Sequence, residues 1–366
     1  ADTVWKDAVE KNQEAILKSK DLIELSASIN KAIAELKSSH CQFVTINDET
    51  FFFLHSLMGE DIPEFKKNAE IDFSGFVTGG VGFEKDRVRY ILDGSSAKKT
   101  ALKVGDSILT VNDEKYLGQV NFLGLAGTTA KLSINSGGTK RTIDLPIKYQ
   151  NLYRQYARAV KRSAYLDDVD GHKIAYVHLW CGGSDPQEKM ASAITSPLFE
   201  QSEGLILDLR DGYGACSLDA LDCFYRPISA YPEFTATDNK GKTVSYQMTY
   251  DKPVVAIING GSRSGKEMLA YSLKKTKRAQ LVGEKTAGYF LGGRLFSINP
   301  RCALYLAISD CKVDGVRLEA NGVAPNIEIH NEKTSDSDKQ LELARTELIK
   351  RLKNPLTKSS PENPSM

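Results

Sequence analysis

A serine stands where the sequence changes from an apolar strand to a helix. The apolar run 253–258 predicts a strand buried on both faces, and the Asn-Gly-Gly of residues 259–261 breaks it. After Ser264 the apolar residues recur at helical spacing, and Glu267 follows the serine by three positions, as in an N-terminal capping box. A serine there lies at the positive end of a helix beside backbone N–H groups. A nucleophile whose attack creates an oxyanion has these needs.

Two other interpretations of this stretch stay open at the level of sequence. Serine is a preferred helix cap, so Ser264 could serve the structure alone. Residues 260–266 also satisfy the G-x-x-x-x-G-K pattern of a phosphate-binding loop, with Asp208 at the end of an apolar strand as a second acidic motif. That pattern needs Ser or Thr in the next position, and the chain has Glu267, whose carboxylate would repel phosphate. An NTPase is therefore the weaker alternative.

The composition is that of an ordinary globular protein with more than one domain. The chain has 366 residues, 41% of them hydrophobic and 26% charged, and its formal net charge is +1. This balance gives no support to nucleic acid or an anionic membrane as a partner, and no apolar run is long enough to span a bilayer. The six cysteines form no C-x-x-C pair, so we expect no metal site and no cofactor, and mostly buried free thiols.

The elements that must position this serine follow from hydrophobic periodicity. Residues 3–38 read as two helices with a break near 19–21, and His40 follows them, where it could satisfy carbonyls at a helix C terminus. From Lys173 onward strands and helices alternate, which favours an α/β fold with a largely parallel sheet. The predicted strands are 174–179, 204–209, 254–258 and 279–282, the helices 186–199, 217–225 and 334–352, and a pair of strands 292–298 and 303–309.

Residues 73–147 form a separate block of glycine-rich loops and alternating strands. The sequence ALKVGDSILTVND at 101–113, with GSSAKKT before it, resembles a PDZ domain. Such domains add a peptide to a sheet edge and capture its terminal carboxylate with a loop of backbone N–H groups. By this resemblance the peptide-binding loop consists of Gly79, Gly80, Val81, Gly82 and Phe83. A small β-sandwich without a ligand is the alternative.

Four pieces in this order resemble the C-terminal (tail-specific) processing serine peptidases. They are a histidine after an N-terminal helical region, the PDZ block, a D-L-R turn at 208–210, and S-x-x-E at 264–267 followed by V-G-E-x-T-x-G. Members with a Ser/Lys dyad carry lysine directly after T-x-G, and this chain has Tyr289 there. In the tricorn-like branch a histidine precedes the PDZ-like block and a glutamate lies in E-x-x-G-V-x-P; His40 and Glu319 occupy those positions.

The resemblance implies a catalytic triad of Ser264, His40 and Glu319. Imidazole would take the serine proton and return it to the leaving amine, while the carboxylate fixes its tautomer. The implied oxyanion donors are the N–H groups of Gly265 and Gly214, and Glu267 would cap the helix or orient a neighbour. Lys266 could substitute as a base, but a neighbour within the same helical turn points elsewhere. The family pattern D-x-R-x-N-x-G-G is broken by two residues, Gly212 and Ala215.

The implied fold is a crotonase-like layered α/β core with an inserted PDZ-like domain. The predicted division is a helical region at 1–70 with His40, the PDZ-like domain at 71–148, the core at 149–353 and a flexible tail at 354–366. The implied function is a serine endopeptidase acting on unfolded or C-terminally presented polypeptides. A catalytically silent relative that holds peptides or lipophilic ligands is the alternative. Because the sequence starts at Ala1 without a methionine, we expect export to a bacterial periplasm or cell envelope.

Overall fold

The chain forms two compact units in a computed structural model that describes residues 2–58, 76–225, 234–237, 239–241, 243–246, 249–331 and 337–354. The first unit holds residues 1–159 and 287–322, and the second holds residues 160–286 and 323–366. The chain therefore passes between the units three times, at 159/160, 286/287 and 322/323.

Helices and strands are numbered in chain order over the described residues. The helices are α1 (Asp2–Leu17), α2 (Leu22–Ala34), α3 (Glu49–Met58), α4 (Leu152–Ser163), α5 (Ser184–Ile194), α6 (Pro197–Glu200), α7 (Asp222–Tyr225), α8 (Gly265–Lys275) and α9 (Lys339–Lys353). The strands are β1 (Gln42–Thr45), β2 (Phe76–Thr78), β3 (Val81–Glu84), β4 (Arg87–Ile91), β5 (Ser107–Val111), β6 (Glu114–Lys115), β7 (Thr129–Ser136), β8 (Thr139–Pro146), β9 (Lys148–Gln150), β10 (Tyr165–Val169), β11 (His172–His178), β12 (Gly204–Asp208), β13 (Phe234–Thr237), β14 (Thr243–Tyr246), β15 (Val254–Ile258), β16 (Ala279–Gly283), β17 (Leu291–Asn299), β18 (Cys302–Asp310) and β19 (Ile327–Glu328).

Antiparallel strands dominate the first unit. Strands β3, β4, β5, β7 and β8 form one sheet in this order, and β6 pairs with β5. Alternating residues of β7, among them Ala130, Leu132 and Ile134, are fully buried in the core of this sheet. A second sheet has the order β1-β18-β17, so the predicted pairing of 292–298 with 303–309 is confirmed. In this second sheet β1 begins two residues after His40.

The N-terminal helices break where the sequence predicts. Helix α2 begins after Asp21, whose carboxylate accepts the N–H groups of Ile23 and Glu24. It ends at Ala34, six residues before His40 (40 − 34). His40 therefore lies beyond the last turn of α2.

The second unit is built on a mostly parallel sheet, as predicted. Its order is β10-β11-β12-β15-β16-β19, with only β10 antiparallel to its neighbour. Strands β12 and β15 are buried at every residue, which explains their unbroken apolar runs. Helix α9 covers one face, with Ala344 and Leu348 packed against Ile206 and Val255. The carboxyl ends of β11, β12 and β15 meet at one edge of the sheet.

Two helix predictions in this unit are wrong in extent. The predicted helix 186–199 is two helices, because Ser196 caps a new start by accepting the N–H of Phe199, with Pro197 in the first turn. The predicted helix 217–225 is a 3₁₀ turn at Leu218–Leu221 followed by the short α7. The closing helix starts at Lys339, and the predicted start at 334 lies outside the described residues.

None of the described helices combines the length and the apolar composition needed to cross a membrane.

Candidate active site

Ser264 lies on a strained turn between β15 and α8. It is the N-cap residue of α8 and has a φ of +56°, a backbone conformation that costs a non-glycine residue about 1–3 kcal/mol. Side chains brace the turn before it: the Asn259 Oδ1 accepts the N–H of Gly261 at 2.9 Å, and the buried Ser262 hydroxyl donates to the Leu209 carbonyl at 2.9 Å. The surrounding structure therefore holds the serine in a geometry it would not adopt alone.

A buried carboxylate supports Ser264 from the first turn of α8. Glu267 is fully buried, and its Oε2 accepts the backbone N–H of Ser264 at 3.1 Å. Its Oε1 accepts the hydroxyl proton of Thr286 at 2.6 Å, and that hydroxyl accepts the N–H of Val323 at 2.7 Å. Glu267 thus caps the helix through the main chain of the serine. It also ties the turn to the loop after β16.

Gly214 lets its main chain approach Ser264 closely, and Gly265 lets the main chain of Cys216 approach the start of α8. A Cβ added at Gly214 would lie 2.5 Å from the Ser264 Cβ and 3.1 Å from its Oγ. A Cβ added at Gly265 would lie 2.3 Å from the backbone nitrogen of Cys216. Real Cβ atoms do not come so close, so only glycine fits at either position. The structure therefore brings Ser264 together with both residues expected to donate to an oxyanion.

The two departures from the family pattern flank Gly214. Gly212 has a φ of +64°, and a Cβ there would lie 1.9 Å from the Trp180 carbonyl oxygen. Ala215 has a φ of +65°, the left-handed region that costs a residue with a Cβ roughly 1–2 kcal/mol. Alanine therefore occupies a conformation suited to the glycine of the family pattern. The turn therefore keeps its backbone conformation, with the conformational strain of Ala215 as a cost in stability.

Buried charges anchor the start of this turn. Asp208 accepts from the Arg210 guanidinium, which also donates to Asp338 at 2.7 Å and to Gln340 at 3.1 Å. Burial alone would raise the pKa of Asp208, but the charges of Arg210 and His178 hold it below its ordinary value. Burial lowers the pKa of His178, whose Nε2 lies 2.8 Å from the Arg210 carbonyl. The D-L-R motif thus holds the turn in place beneath the serine.

Lys266 is buried and bound to carbonyls, which excludes the phosphate-binding alternative. Its Nζ donates to the backbone oxygens of Trp180, Arg210 and Asp211, and the residue is 0% exposed. A phosphate-binding lysine must reach the ligand with its ammonium group. The NTPase interpretation is therefore wrong.

His40 and Glu319 meet in the first unit through a residue that the sequence did not single out. The Ser39 hydroxyl lies 2.8 Å from the His40 Nδ1 and donates to the Glu319 Oε2 at 2.8 Å. Glu319 is 6% exposed and also accepts the backbone N–H groups of Ser39 at 3.1 Å and Phe290 at 2.6 Å. The one available signal was a hydroxyl residue next to the histidine, and serine is too common for that to be distinctive.

This relay defines which ring nitrogen of His40 carries the proton when the ring is neutral. The Glu319 carboxylate only accepts hydrogen bonds, so the Ser39 hydroxyl gives it its single proton. Towards His40 the same oxygen must accept, and Nδ1 must donate. The lone pair of a neutral imidazole then lies on Nε2, the nitrogen that a general base uses. His40 also has a positive φ, +55°, and its ring centroid lies 5.6 Å from that of Tyr305.

The remaining predicted site residues lie in the first unit. Tyr289, at the position of the dyad lysine, is 51% exposed. Gly79 and Gly80 connect β2 to β3, with a bend at Gly80, while the last three residues of the predicted peptide-binding loop lie within β3. The N–H of Gly80 donates to the Thr78 hydroxyl at 2.9 Å, and the Phe83 ring packs on that of Phe122. Capture of a carboxylate by this loop stays a prediction.

A strained serine on a strand-to-helix turn, with glycine main chain packed against it, is the arrangement of a serine hydrolase. Comparison of the sequence with known proteins gives a more specific family. Residues 173–329 match peptidase family S41. Carboxy-terminal processing protease CtpB of Bacillus subtilis is 24% identical over 257 residues, which cover 67% of this chain and 52% of that protein. The carboxyl-terminal-processing protease of Synechocystis is 26% identical over 265 residues, covering 68% and 61%.

Residues 173–329 thus match the model of peptidase family S41, and the expected resemblance to the C-terminal processing peptidases is confirmed. The solved structure of the tricorn protease superposes with a TM-score of 0.55 at 20% identity, covering 96% of this chain and 35% of that one; it shares the mixed α/β fold. The chain spans 52–61% of the length of the first three curated relatives it matches. The PDZ-like and crotonase-like descriptions stay predictions.

Proposed function

We propose that this chain is a serine endopeptidase with Ser264 as nucleophile, His40 as general base and Glu319 as the carboxylate that orients the histidine. The observation that carries the proposal is the strained Ser264 with the main chain of Gly214 packed against it. The relay from Glu319 through Ser39 to His40 supports the role of the histidine, since it fixes the tautomer that a base requires. The match of residues 173–329 to peptidase family S41 supports the reaction class.

The proposed chemistry is acyl transfer in two steps. The Ser264 hydroxyl gives its proton to Nε2 of His40 while its oxygen attacks the peptide carbonyl. The resulting oxyanion accepts hydrogen bonds from the N–H groups of Gly265 and Gly214. The carbon–nitrogen bond breaks as the imidazolium returns the proton to the amine, leaving an acyl group on Ser264. In the second step His40 takes a proton from water as the water oxygen attacks the acyl carbon; the bond from this carbon to Ser264 Oγ then breaks, the imidazolium returns the proton to the serine oxygen, and the new carboxylate leaves.

The proposed substrates are unfolded polypeptides or polypeptide ends, as the names of the processing proteases among the relatives suggest. The segment of Gly79 to Phe83 would take the substrate C terminus. If so, amidation of a peptide's C terminus should raise KM and leave kcat unchanged, because only the carboxylate is removed. An exported setting, in a bacterial periplasm or cell envelope, stays a prediction.

The test combines a fluorophosphonate probe with hydrolysis of an unfolded protein such as reduced casein. We expect the wild-type chain to be labelled on Ser264, Ser264→Ala to lose both labelling and hydrolysis, and His40→Ala to lose roughly 10³- to 10⁴-fold in kcat. His330→Ala is the matched control, since His330 is an exposed histidine paired with Glu284. Full hydrolysis by Ser264→Ala or His40→Ala would overturn the proposal. Binding of casein without labelling or cleavage would instead favour the silent peptide-holding relative.

A further inference from the structure

The side chain of Lys266 reaches from the first turn of α8 to two other loops. Its Nζ donates to the backbone oxygens of Asp211 at 2.6 Å, Trp180 at 3.2 Å and Arg210 at 3.4 Å. An ammonium group has three protons, so these three carbonyls are its full complement of acceptors. Trp180 lies two residues beyond the end of β11, and Arg210 and Asp211 follow β12. One side chain thus connects the nucleophile's helix to the ends of two neighbouring strands.

Both loops lead to Gly214. The Trp180 carbonyl that accepts from Lys266 also accepts the N–H of Tyr213 at 3.0 Å. The Gly182 N–H, two residues further on, donates to the Gly214 carbonyl at 2.6 Å. Asp211, the other strong acceptor of the lysine, lies three residues before Gly214. Lys266 therefore holds the start of the turn that contains Gly214. It also holds the segment after β11, whose Gly182 N–H donates to the Gly214 carbonyl.

This placement of a lysine is unfavourable for the helix. A cation in the first turn opposes the helix dipole, and a fully buried ammonium loses its hydration. Burial lowers the pKa of Lys266 to about 8. A residue chosen for stability alone would be apolar here, since a buried charge gives little net stability. The three backbone carbonyls that its ammonium group binds explain why a lysine is present.

We propose that Lys266 is a positioning residue that holds the main-chain turn of residues 210–214. The Gly214 N–H then faces the oxygen of the substrate carbonyl whose carbon Ser264 attacks. The inference rests on the proposed peptidase function and deepens it. Lys266 acts through the main chain and does not itself take or give a proton in the reaction. Its ammonium points to carbonyls of its own unit, as the sequence argument against a Lys266 base expected.

The test compares Lys266→Met with Lys274→Met in the full chain. Methionine fills much the same space without the charge, and Lys274 is a half-buried lysine of the same helix whose Nζ also donates to a carbonyl, that of Ala324. Three quantities are measured for each: the melting temperature, the rate of fluorophosphonate labelling with kcat and KM, and hydrogen–deuterium exchange of a peptide covering residues 209–217.

For Lys266→Met we expect labelling and kcat to fall by about 10²-fold with KM little changed, as for loss of an oxyanion donor. Exchange at 209–217 should become at least tenfold faster while the strands of the second unit keep their protection. Lys274→Met should match the wild type in all three. Unchanged exchange and kcat in Lys266→Met would overturn the inference, and so would a global loss of protection and melting temperature, since the lysine would then be a general structural element.

The two proposals fail separately. If wild-type labelling is absent, the peptidase proposal falls, and unchanged exchange at 209–217 would then remove the positioning role as well. If the wild type is labelled but Lys266→Met keeps its full labelling rate and kcat, the peptidase proposal stands and the role of Lys266 in catalysis is rejected.

Discussion

Two buried carboxylates, one in each unit, lie beside serines and act on different parts of them. Glu267 binds the backbone N–H of Ser264 and the hydroxyl of Thr286, so it fixes where the main chain of the serine lies. Glu319 binds the hydroxyl of Ser39, which in turn binds His40, so it fixes a side-chain proton. The candidate nucleophile is therefore positioned by its backbone geometry, whereas the candidate base is oriented by a chain of side-chain hydrogen bonds. Substitutions in the two regions should therefore have different consequences.

The largest expected effect is that of Glu319→Gln on the rate. The amide presents an NH₂ group that cannot accept from Ser39, so the hydroxyl no longer forces Nδ1 of His40 to carry the proton. We expect kcat to fall about 10³- to 10⁴-fold, as for loss of the orienting carboxylate in a Ser-His-Asp enzyme, with a melting temperature close to that of the wild type. Steady-state hydrolysis of a fluorogenic peptide measures this. A kcat within threefold of the wild type would contradict the proposed role of Glu319.

The second expectation concerns Lys266 and the stability of its unit at high pH. The pKa of this lysine is about 8 because burial disfavours the ammonium, whereas an unfolded chain keeps it near the ordinary value of 10.5. Between pH 8 and 10.5 the unfolded state thus binds more protons than the folded one, so this group makes the free energy of unfolding rise with pH. The rise amounts to about 3 kcal/mol at most.

Urea unfolding of the wild type and Lys266→Met at pH 7.5 and pH 10 measures this contribution as a difference. Cys181 and Cys216 lie near the lysine in both proteins, and burial raises the pKa of both thiols, so their contribution to the pH dependence is largely the same in the wild type and the variant. The wild type should gain stability relative to the variant as the pH rises. Parallel pH dependence in the two proteins would show that the lysine is not held in the buried, charged state.

The third expectation concerns stability and not the rate: Glu267→Gln should lower the free energy of unfolding. The amide offers one acceptor where Ser264 and Thr286 require two, which leaves a buried N–H or O–H unsatisfied. We expect a loss of roughly 1–3 kcal/mol in the free energy of unfolding. Glu284→Gln is the control, since Glu284 is a less buried acid paired with the exposed His330, and surface changes stay within about 0.5 kcal/mol. Equal stability of the two variants would remove the distinction between the carboxylates.

The smallest effect is that of Ser39→Ala. Its hydroxyl is the link between Glu319 and the ring of His40, but a water molecule in its place could restore part of the connection. We expect kcat to fall roughly 10- to 100-fold, with the acidic limb of the pH–rate profile displaced to lower pH, since the imidazolium loses its link to the carboxylate. A pH–rate series on both proteins decides. An unchanged pH–rate profile would mean that Ser39 fills space and does not link Glu319 to His40.

The sequence was informative where local rules apply and silent where distant residues meet. The apolar run before Ser264, the Asn-Gly-Gly break and the following S-x-x-E are local signals, and the strand, turn and helix lie where they predict. The parallel sheet and the pairing of β17 with β18 followed from periodicity. The division of 186–199 into two helices was missed, because the Ser196 cap interrupts an otherwise helical pattern.

Ser39 and Lys266 show what periodicity cannot give. Glu319 reaches Ser39 across 280 positions, and Lys266 reaches Trp180 across 86. Neither pairing has a local pattern, since each depends on where the tertiary fold places a loop. From the sequence, Ser39 had no assigned role, and Lys266 was considered only as part of a phosphate-binding loop or as a substitute base, because the partners of both residues appear only in three dimensions.

The threefold passage of the chain between its two units has a consequence for synthesis on the ribosome. The second unit lacks its last parallel strand, β19, and the helix α9 that covers Ile206 and Val255 until residues beyond 323 have been made. Glu319 itself lies in the segment translated just before them. Because compact units fold cooperatively, the proposed peptidase activity should be absent from a nascent chain until α9 has been made. The proposed peptidase would then be unable to cleave nearby polypeptides while its own second unit is still incomplete on the ribosome.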